Sequence, residues 1–315
     1  MTYTSGEIIQ AWDYNRIAWG GNTETYTDSI NNLAYIYGTG SGIRGYGQSV
    51  SAIAPVAVTN TVTATQWAGL VHTLNKTLGH QGLTQLATGS NIGITSGATI
   101  EAFANVVSAV TSINSNPNNW SAQGTTTNGV LYWQSLSVGD HAAFTSVWTR
   151  TITFASGDAA RYFFNAGGQI NWSFNAVSLN GTARSGSVVN VFNNLMTGGN
   201  IMNVRGSGRT GTGGGSVTNN SIGYANLTTT VSLASTVNST TSTYTGDTGN
   251  VNIRSNGVQG SSNDTGSVIT LQFGYTSAQE GGNFNSAINA NVGVRVDIVS
   301  PETTYLAAYA LPTIS

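Results

Sequence analysis

Acid–base or metal chemistry in this chain would have to draw on three histidines, His72, His80 and His141, and twelve Asp and Glu residues, because there is no cysteine. A zinc site needs several N, S or carboxylate ligands converging on one point. His72 and His80 are two helical turns apart and could share a helix face, but no acidic residue lies between them. Ordinary helix histidines are the expectation. Asp140-His141 suggests a hydrolase triad, yet no Gly-x-Ser-x-Gly turn offers a nucleophile. Glycoside cleavage needs two facing carboxylates. Asp140, Asp158, Asp247, Asp264 and Glu280 all stand in turn-like contexts, where Asp favours local backbone bonds. Residues 206–211 match Gly-x-Gly-x-x-Gly, which binds a dinucleotide only where a strand turns into a helix. Here the motif runs into Thr212-Gly213-Gly214-Gly215, which cannot start a helix. The expectation is a protein without catalytic residues, cofactor or metal, and not an enzyme.

The elements that would position any site divide the chain in two. Apolar residues at helical spacing predict helices over 7–19, 26–37, 63–78 and 100–113. Between the second and third lies a glycine-rich loop, residues 38–50, with Tyr46 as an anchor. The breaker-rich residues 114–119 mark a boundary, giving a helical region over 1–115 and a β region over 116–315. Strand signals follow at 130–138, 147–154, 161–164, 169–176, 188–192, 201–205, 224–233, 251–254, 268–275 and 292–299. The aromatic run Arg161-Tyr162-Phe163-Phe164 reads as a buried strand, and Gly167-Gly168 as the hairpin turn into Ile170, Trp172 and Phe174. Residues 206–216 and 238–249 carry little apolar content and read as long loops. Residues 305–311 read as a last strand. The expected fold is α+β and mainly β: a small helical N-terminal region, then an antiparallel β-sandwich of jelly-roll type.

Composition limits the partners. Charged residues make up 7% of the 315 positions, and ten basic against twelve acidic groups leave a net charge of −2. Seven arginines spread along the β region make no basic groove, so neither nucleic acid nor an anionic membrane is expected. The first residues lack a signal-peptide pattern and no apolar run is long enough to span a bilayer. A lone soluble protein usually keeps charge on its surface. So neutral an exterior suggests a surface shared with identical neighbours, and the seven tryptophans read as core or interface anchors.

Several segments together resemble virion structural proteins of tailed bacteriophages, of the type found in phages of marine bacteria and cyanobacteria. They are the helix opening Trp12-Asp13-Tyr14-Asn15-Arg16-Ile17, the loop over 38–50, the helix start Val62-Thr63-Ala64-Thr65-Gln66-Trp67, the pair His80-Gln81, and the run from Arg161 to Gly168. The resemblance implies a component of the neck, tail or fibre, assembled in the host cytoplasm into the virion. It would associate with itself as a trimer or higher oligomer and dock on other virion proteins. A capsid decoration protein and a tail module binding a receptor or host surface glycan are the alternatives. Interface residues are expected at Tyr46, Trp67, Arg161, Tyr162, Tyr305 and Tyr309.

Overall fold

The structure, a computed structural model, describes residues 8–20, 32–87, 101–140, 142–195, 202–210, 218–241, 243–258, 265–277 and 286–315. The chain forms two compact units. One comprises Met1–Gly124, Arg161–Gly167 and Pro301–Tyr309; the other comprises Thr125–Ala160, Gly168–Ser300 and Ala310–Ser315. The boundary expected near 115 falls at 124, and two later segments return to the first unit. Chain order could not show that return.

The first unit is helical. It contains α1 (Ala11–Ala18), α2 (Leu33–Tyr37), α3 (Ala64–His80) and α4 (Phe103–Ser115). Each overlaps a window that apolar spacing marks, α3 and α4 running two residues past theirs, and 26–31 of the second window falls outside the described residues. The central helix, α3, opens on a reciprocal cap. The Thr63 hydroxyl accepts from the Gln66 N–H while the Gln66 side chain accepts from the Thr63 N–H. Two otherwise orphaned donors are satisfied that way. Trp67, Leu70, Val71, Leu74 and Leu78 then form its buried stripe. Tyr14 and Ile17 of α1, Leu33 and Ile36 of α2, and Val106 and Ile113 of α4 share this core. Asn15 is buried among them and acts as a backbone clamp. Its Nδ2 donates to the Val56 carbonyl at 2.7 Å, and its Oδ1 accepts from the Val56 N–H at 2.9 Å.

Two stretches expected as strands are helices. Residues Gly157–Asn165 form α5. The Ser156 hydroxyl accepts from the Ala159 N–H at 3.0 Å, an N-cap, and Asp158 in the first turn complements the helix dipole. Ala160, Phe163 and Phe164 are buried at helical spacing. The run Arg161–Phe164 has strand composition, but the cap and two alanines before it decide the geometry. The Gly167 turn survives as a helix end at φ +88°, with the Trp120 ring packed against its α-carbon. Residues Ala183–Leu195 form α6, where Val188, Val191, Phe192 and Leu195 are buried with offsets of three, one and three. Thr182 caps it, its Oγ1 accepting from the Ser185 N–H.

The second unit holds two antiparallel six-stranded sheets with helix α6, so the expected two-sheet α+β architecture is present. In the first sheet the long strand β11 (Ile288–Pro301) is central. It pairs on one side with β1 (Gln123–Thr127) and β2 (Leu131–Val138), and on the other with β4 (Gln169–Ser178); β5 (Met202–Val204) and β6 (Arg209–Thr210) follow. Between β1 and β2 the chain presses onto β11. The Gly129 N–H donates to Asp297 Oδ1 at 2.8 Å, and a β-carbon on Gly129 would lie 1.8 Å from the Val296 carbonyl oxygen. Only glycine lets the two backbones approach this closely.

The second sheet runs β12 (Thr313–Ile314), β3 (Phe144–Thr153), β10 (Val268–Ser277), β9 (Thr248–Ser255), β8 (Ser232–Asn238) and β7 (Thr218–Asn219). Period-two alternation buries Ile269, Leu271, Phe273 and Tyr275 in one sheet and Val292, Val294, Val296 and Ile298 in the other. The inner faces meet where Phe174 of β4 sits edge-on to Phe273 of β10, ring centroids 5.4 Å apart. Phe192 of α6 contacts both Phe174 and Trp148.

Two further expectations are corrected in this unit. The strand expected over 224–233 is a 3-10 turn at Tyr224–Asn226, with the strand starting only at Ser232. Described residues of 238–249, expected as a flexible loop, are packed: Ser239, Tyr244 and Asp247 are buried. Asp247 Oδ2 accepts from the Tyr275 hydroxyl at 2.7 Å. Burial above all, and then the Asp247 charge, pushes the Tyr275 phenol far up. Of the segment 206–216, residues 211–216 lie outside the described residues. The C-terminal residues 305–311 carry no strand; β12 forms just beyond them.

Candidate functional site

The six residues expected at an interface converge, but inward. Tyr46 belongs to the 38–50 loop, Arg161, Tyr162 and Tyr309 contact that loop, Tyr305 packs on α3, and Trp67 lies in the adjoining helical core. The loop leaves α2 and folds back on it: Tyr46 N–H donates to Ile36 O, Gly47 N–H to Gly38 O and Gln48 N–H to Tyr37 O, all within 3.0 Å. Turning that tightly takes positive φ at Gly40, Gly42, Gly45 and Gly47, a conformation that β-carbons disfavour. The price of such a turn is a set of carbonyls pointing into the protein. These need donors, because buried carbonyls without partners are costly.

Arg161 and Asn165 of α5 supply them. Arg161 Nη1 donates to Thr39 O at 2.7 Å and Arg44 O at 2.8 Å. Asn165 Nδ2 lies at 3.1, 3.0 and 3.3 Å from the carbonyls of Gly42, Arg44 and Gly45. Successive turns of α5 put both side chains on one face. Tyr162 lies against Gly47, where a β-carbon would overlap its ring at 2.3 Å.

The segment Pro301–Tyr309 closes the other side. The Tyr309 hydroxyl donates to Tyr46 O at 2.5 Å, and Gln48 Oε1 accepts from the Ala307 N–H at 2.7 Å. Tyr305 packs on α3 at Gly79, where a β-carbon would overlap its ring. Glu302 anchors the segment. Its Oε1 accepts from His80 Nδ1 at 2.9 Å, and its Oε2 accepts from the N–H groups of Thr304 and Tyr305. Burial pushes the Glu302 carboxyl up, but the bonds from His80, Tyr305 and Thr304 outweigh it and hold it below its ordinary value. His80 in turn stands edge-on to Tyr46, centroids 4.8 Å apart. The Tyr46 hydroxyl accepts from Gln81 Nε2 at 2.9 Å. Burial pushes its phenol strongly upward, against the lowering effect of the Gln81 bond.

Tyr46, Trp67 and Arg161 are therefore interior groups of this chain, a correction to their expected place at an interface. Tyr162, Tyr305 and Tyr309 are half-buried around them. The arrangement clamps a loop. Among the described residues no cluster of three or more His, Asp or Glu side chains could hold a metal. His72 is half-buried on α3, its imidazole pulled down first by burial and then by Lys76. His141, Asp264 and Glu280 lie outside the described residues. The Gly206–Gly208 bend connects β5 to β6 as an antiparallel pair, not a strand to a helix.

What the molecule offers outward is sheet. Outward positions of β3, β10 and β9 align in rows: Thr145, Thr276 and Thr248; Val147, Gly274 and Asn250; Thr149, Gln272 and Asn252; Thr151, Thr270 and Arg254. Arg254 is the single charge in these rows. On the other sheet, Trp133, Gly293 and Asn175 form one row, flanked by Ser135, Asn291 and Val177 and by Leu131, Arg295 and Ser173. Pattern alone could not find Trp133, because β2 carries apolar residues at both parities. Its register against Gly293 places it.

Fold and surface define a class: an α+β chain whose glycine loop is locked inside a helical unit and whose sheets present neutral faces. Comparison with protein-family models, with curated proteins and with solved structures finds no match for the chain. Among the described residues no helix is long and apolar enough to cross a membrane.

Proposed function

We propose that the chain is a structural component of a tailed-phage virion, in the neck, tail or fibre, and that it works through protein–protein contacts with copies of itself and with other virion proteins. The observation that carries this reading is the outward face of the second sheet. Threonines, asparagines and a glutamine occupy most of its positions on β3, β10 and β9, with Gly274, Arg254, Val268 and a 55% exposed Val147, and Leu233 of β8 stands beside Asn252. Hydroxyls and amides keep a free surface wetted yet can be buried in a symmetric contact without desolvating charge, which costs several kcal/mol per ion. The edge of β3 supports the same reading. Beyond the short pairing with β12 at Ile152 and Thr153 and a bond pair to Ser315, its outer side has no strand partner among the described residues. An open edge is a template for another chain.

Mass spectrometry and antibody labelling of purified phage particles test the assignment. The chain is expected in stoichiometric multiple copies per particle, labelled at the neck or tail. Absence from washed particles, with the chain free in the infected-cell lysate, contradicts it.

A further inference from the structure

The outward face of the first sheet is built differently, and one residue accounts for it. Trp133 is 49% exposed on β2, directly across from Gly293. A β-carbon built on Gly293 would stand 3.2 Å from Trp133 Cε3 and 3.0 Å from Leu131 Cδ1. The indole edge therefore reaches over the neighbouring strand at Gly293, the one position of the row without a side chain, and about half of the residue stays open to solvent.

The surroundings fix the chemistry. Asn175 completes the row on the far side of Gly293, and Asn291 and Ser135 stand in the next row, the Ser135 hydroxyl donating to Asn291 Oδ1 at 2.9 Å. Arg295 is the nearest cation, and its Nε donates to the buried Asp297 carboxylate at 3.1 Å. The local charges thus cancel. An exposed indole flanked by the apolar Leu131 and Val177 and by the amides and hydroxyl of Asn175, Asn291 and Ser135, with no net charge, complements a neutral pyranose. The weakly positive axial C–H groups of such a sugar meet the negative ring face, and its hydroxyls exchange hydrogen bonds with the amides one strand away. The apolar part of this face comprises Trp133, Leu131 and the 43% exposed Val177, whereas a protein contact calls for a larger apolar centre. A nucleic acid would call for uncompensated cations.

We infer that the outward face of β2, β11 and β4 is a binding site for a neutral glycan, with Trp133 as the stacking platform and Asn175 and Asn291 as hydrogen-bonding neighbours. This site lies on the opposite sheet from the face assigned to self-association, so either assignment can fail alone. Isothermal titration of the full chain with short neutral oligosaccharides of glucose, galactose, mannose or N-acetylglucosamine tests it. At least one series is expected to bind. Trp133→Ala weakens that binding about tenfold or more and Trp133→Phe less, the loss expected for one stacked ring. Asn175→Ala weakens it by a smaller factor. The melting temperature stays unchanged in each variant, because these side chains are half-exposed. The inference is overturned if no oligosaccharide series binds at millimolar concentration, if Trp133→Ala binds as the parent does, or if Trp133→Ala converts an oligomer to a monomer, which would make this face a contact between copies.

Discussion

Replacing Arg161 by alanine is expected to unfold the helical unit's loop before anything else and to lower that unit's stability by about 3–5 kcal/mol, the range for removing one member of a buried charged network. The arginine is 3% exposed and its Nη1 serves two inward-pointing carbonyls, those of Thr39 and Arg44. Alanine removes the donor to Thr39 O, leaves Arg44 O only its bond from Asn165 Nδ2, and opens a cavity where the guanidinium stood. Lysine does not rescue it, since a single ammonium on a flexible stem cannot reproduce the planar fork. Arg44 sits in the same loop, so limited trypsin digestion gives a local readout. Cleavage after Arg44 is slow in the parent and fast in Arg161→Ala, and urea unfolding followed by tryptophan fluorescence moves to lower denaturant. Asn165→Ala acts in the same direction with a smaller effect.

The second large effect is at Glu302. Glutamine keeps the shape but has one acceptor oxygen where the carboxylate has two. Its NH2 would face either His80 or the N–H groups of Thr304 and Tyr305. Glu302→Gln is expected to cost about 2–4 kcal/mol at neutral pH, in line with a charge-assisted network losing one acceptor. The sign of its pH dependence follows from the depressed carboxyl. A group whose folded pKa lies below its ordinary value of 4.5 contributes stability that is full above that value. The contribution is lost as pH falls through the lower folded pKa. Thermal melts of the parent should therefore drop steeply on acidification below about pH 4.5, while Glu302→Gln shows a shallower fall and the two curves approach each other. Parallel curves would mean that Glu302 is not the anchor.

Much of the fold was legible from period and caps. The stripe Trp67, Leu70, Val71, Leu74 and Leu78 and the alternations in β10 and β11 each have a single burial solution. Ser156 and Thr182 cap α5 and α6, but the residues after them have strand composition, which is why both segments read as strands. Tyr162, Phe163 and Phe164 favour β structure on average; here tertiary burial of one helical face, with Arg161 and Asn165 turned to a distant loop, overrides that preference.

The clamp itself was not legible. Its bonds join side chains to backbone carbonyls more than one hundred residues away, and no spacing rule encodes which carbonyls a glycine loop turns inward. Tyr46, expected to anchor the loop and to stand at an interface, and Trp67, expected as a core or interface anchor, both fill this core. The outward platform at Trp133 was hidden for the converse reason, since only strand register shows that its neighbour is a glycine.

The most direct test of the central proposal, that the neutral face of the second sheet is shared between packed copies, is sedimentation of the purified full chain over a range of concentrations, beside a variant carrying Thr149→Lys and Gln272→Lys. These exposed threonine and half-exposed glutamine positions are neighbours on the second sheet, so the pair places like charges side by side without touching the core. A trimer or higher oligomer for the parent and a folded monomer for the variant is the predicted result. A parent that stays monomeric at every concentration, or a charged variant that assembles as the parent does, would contradict it.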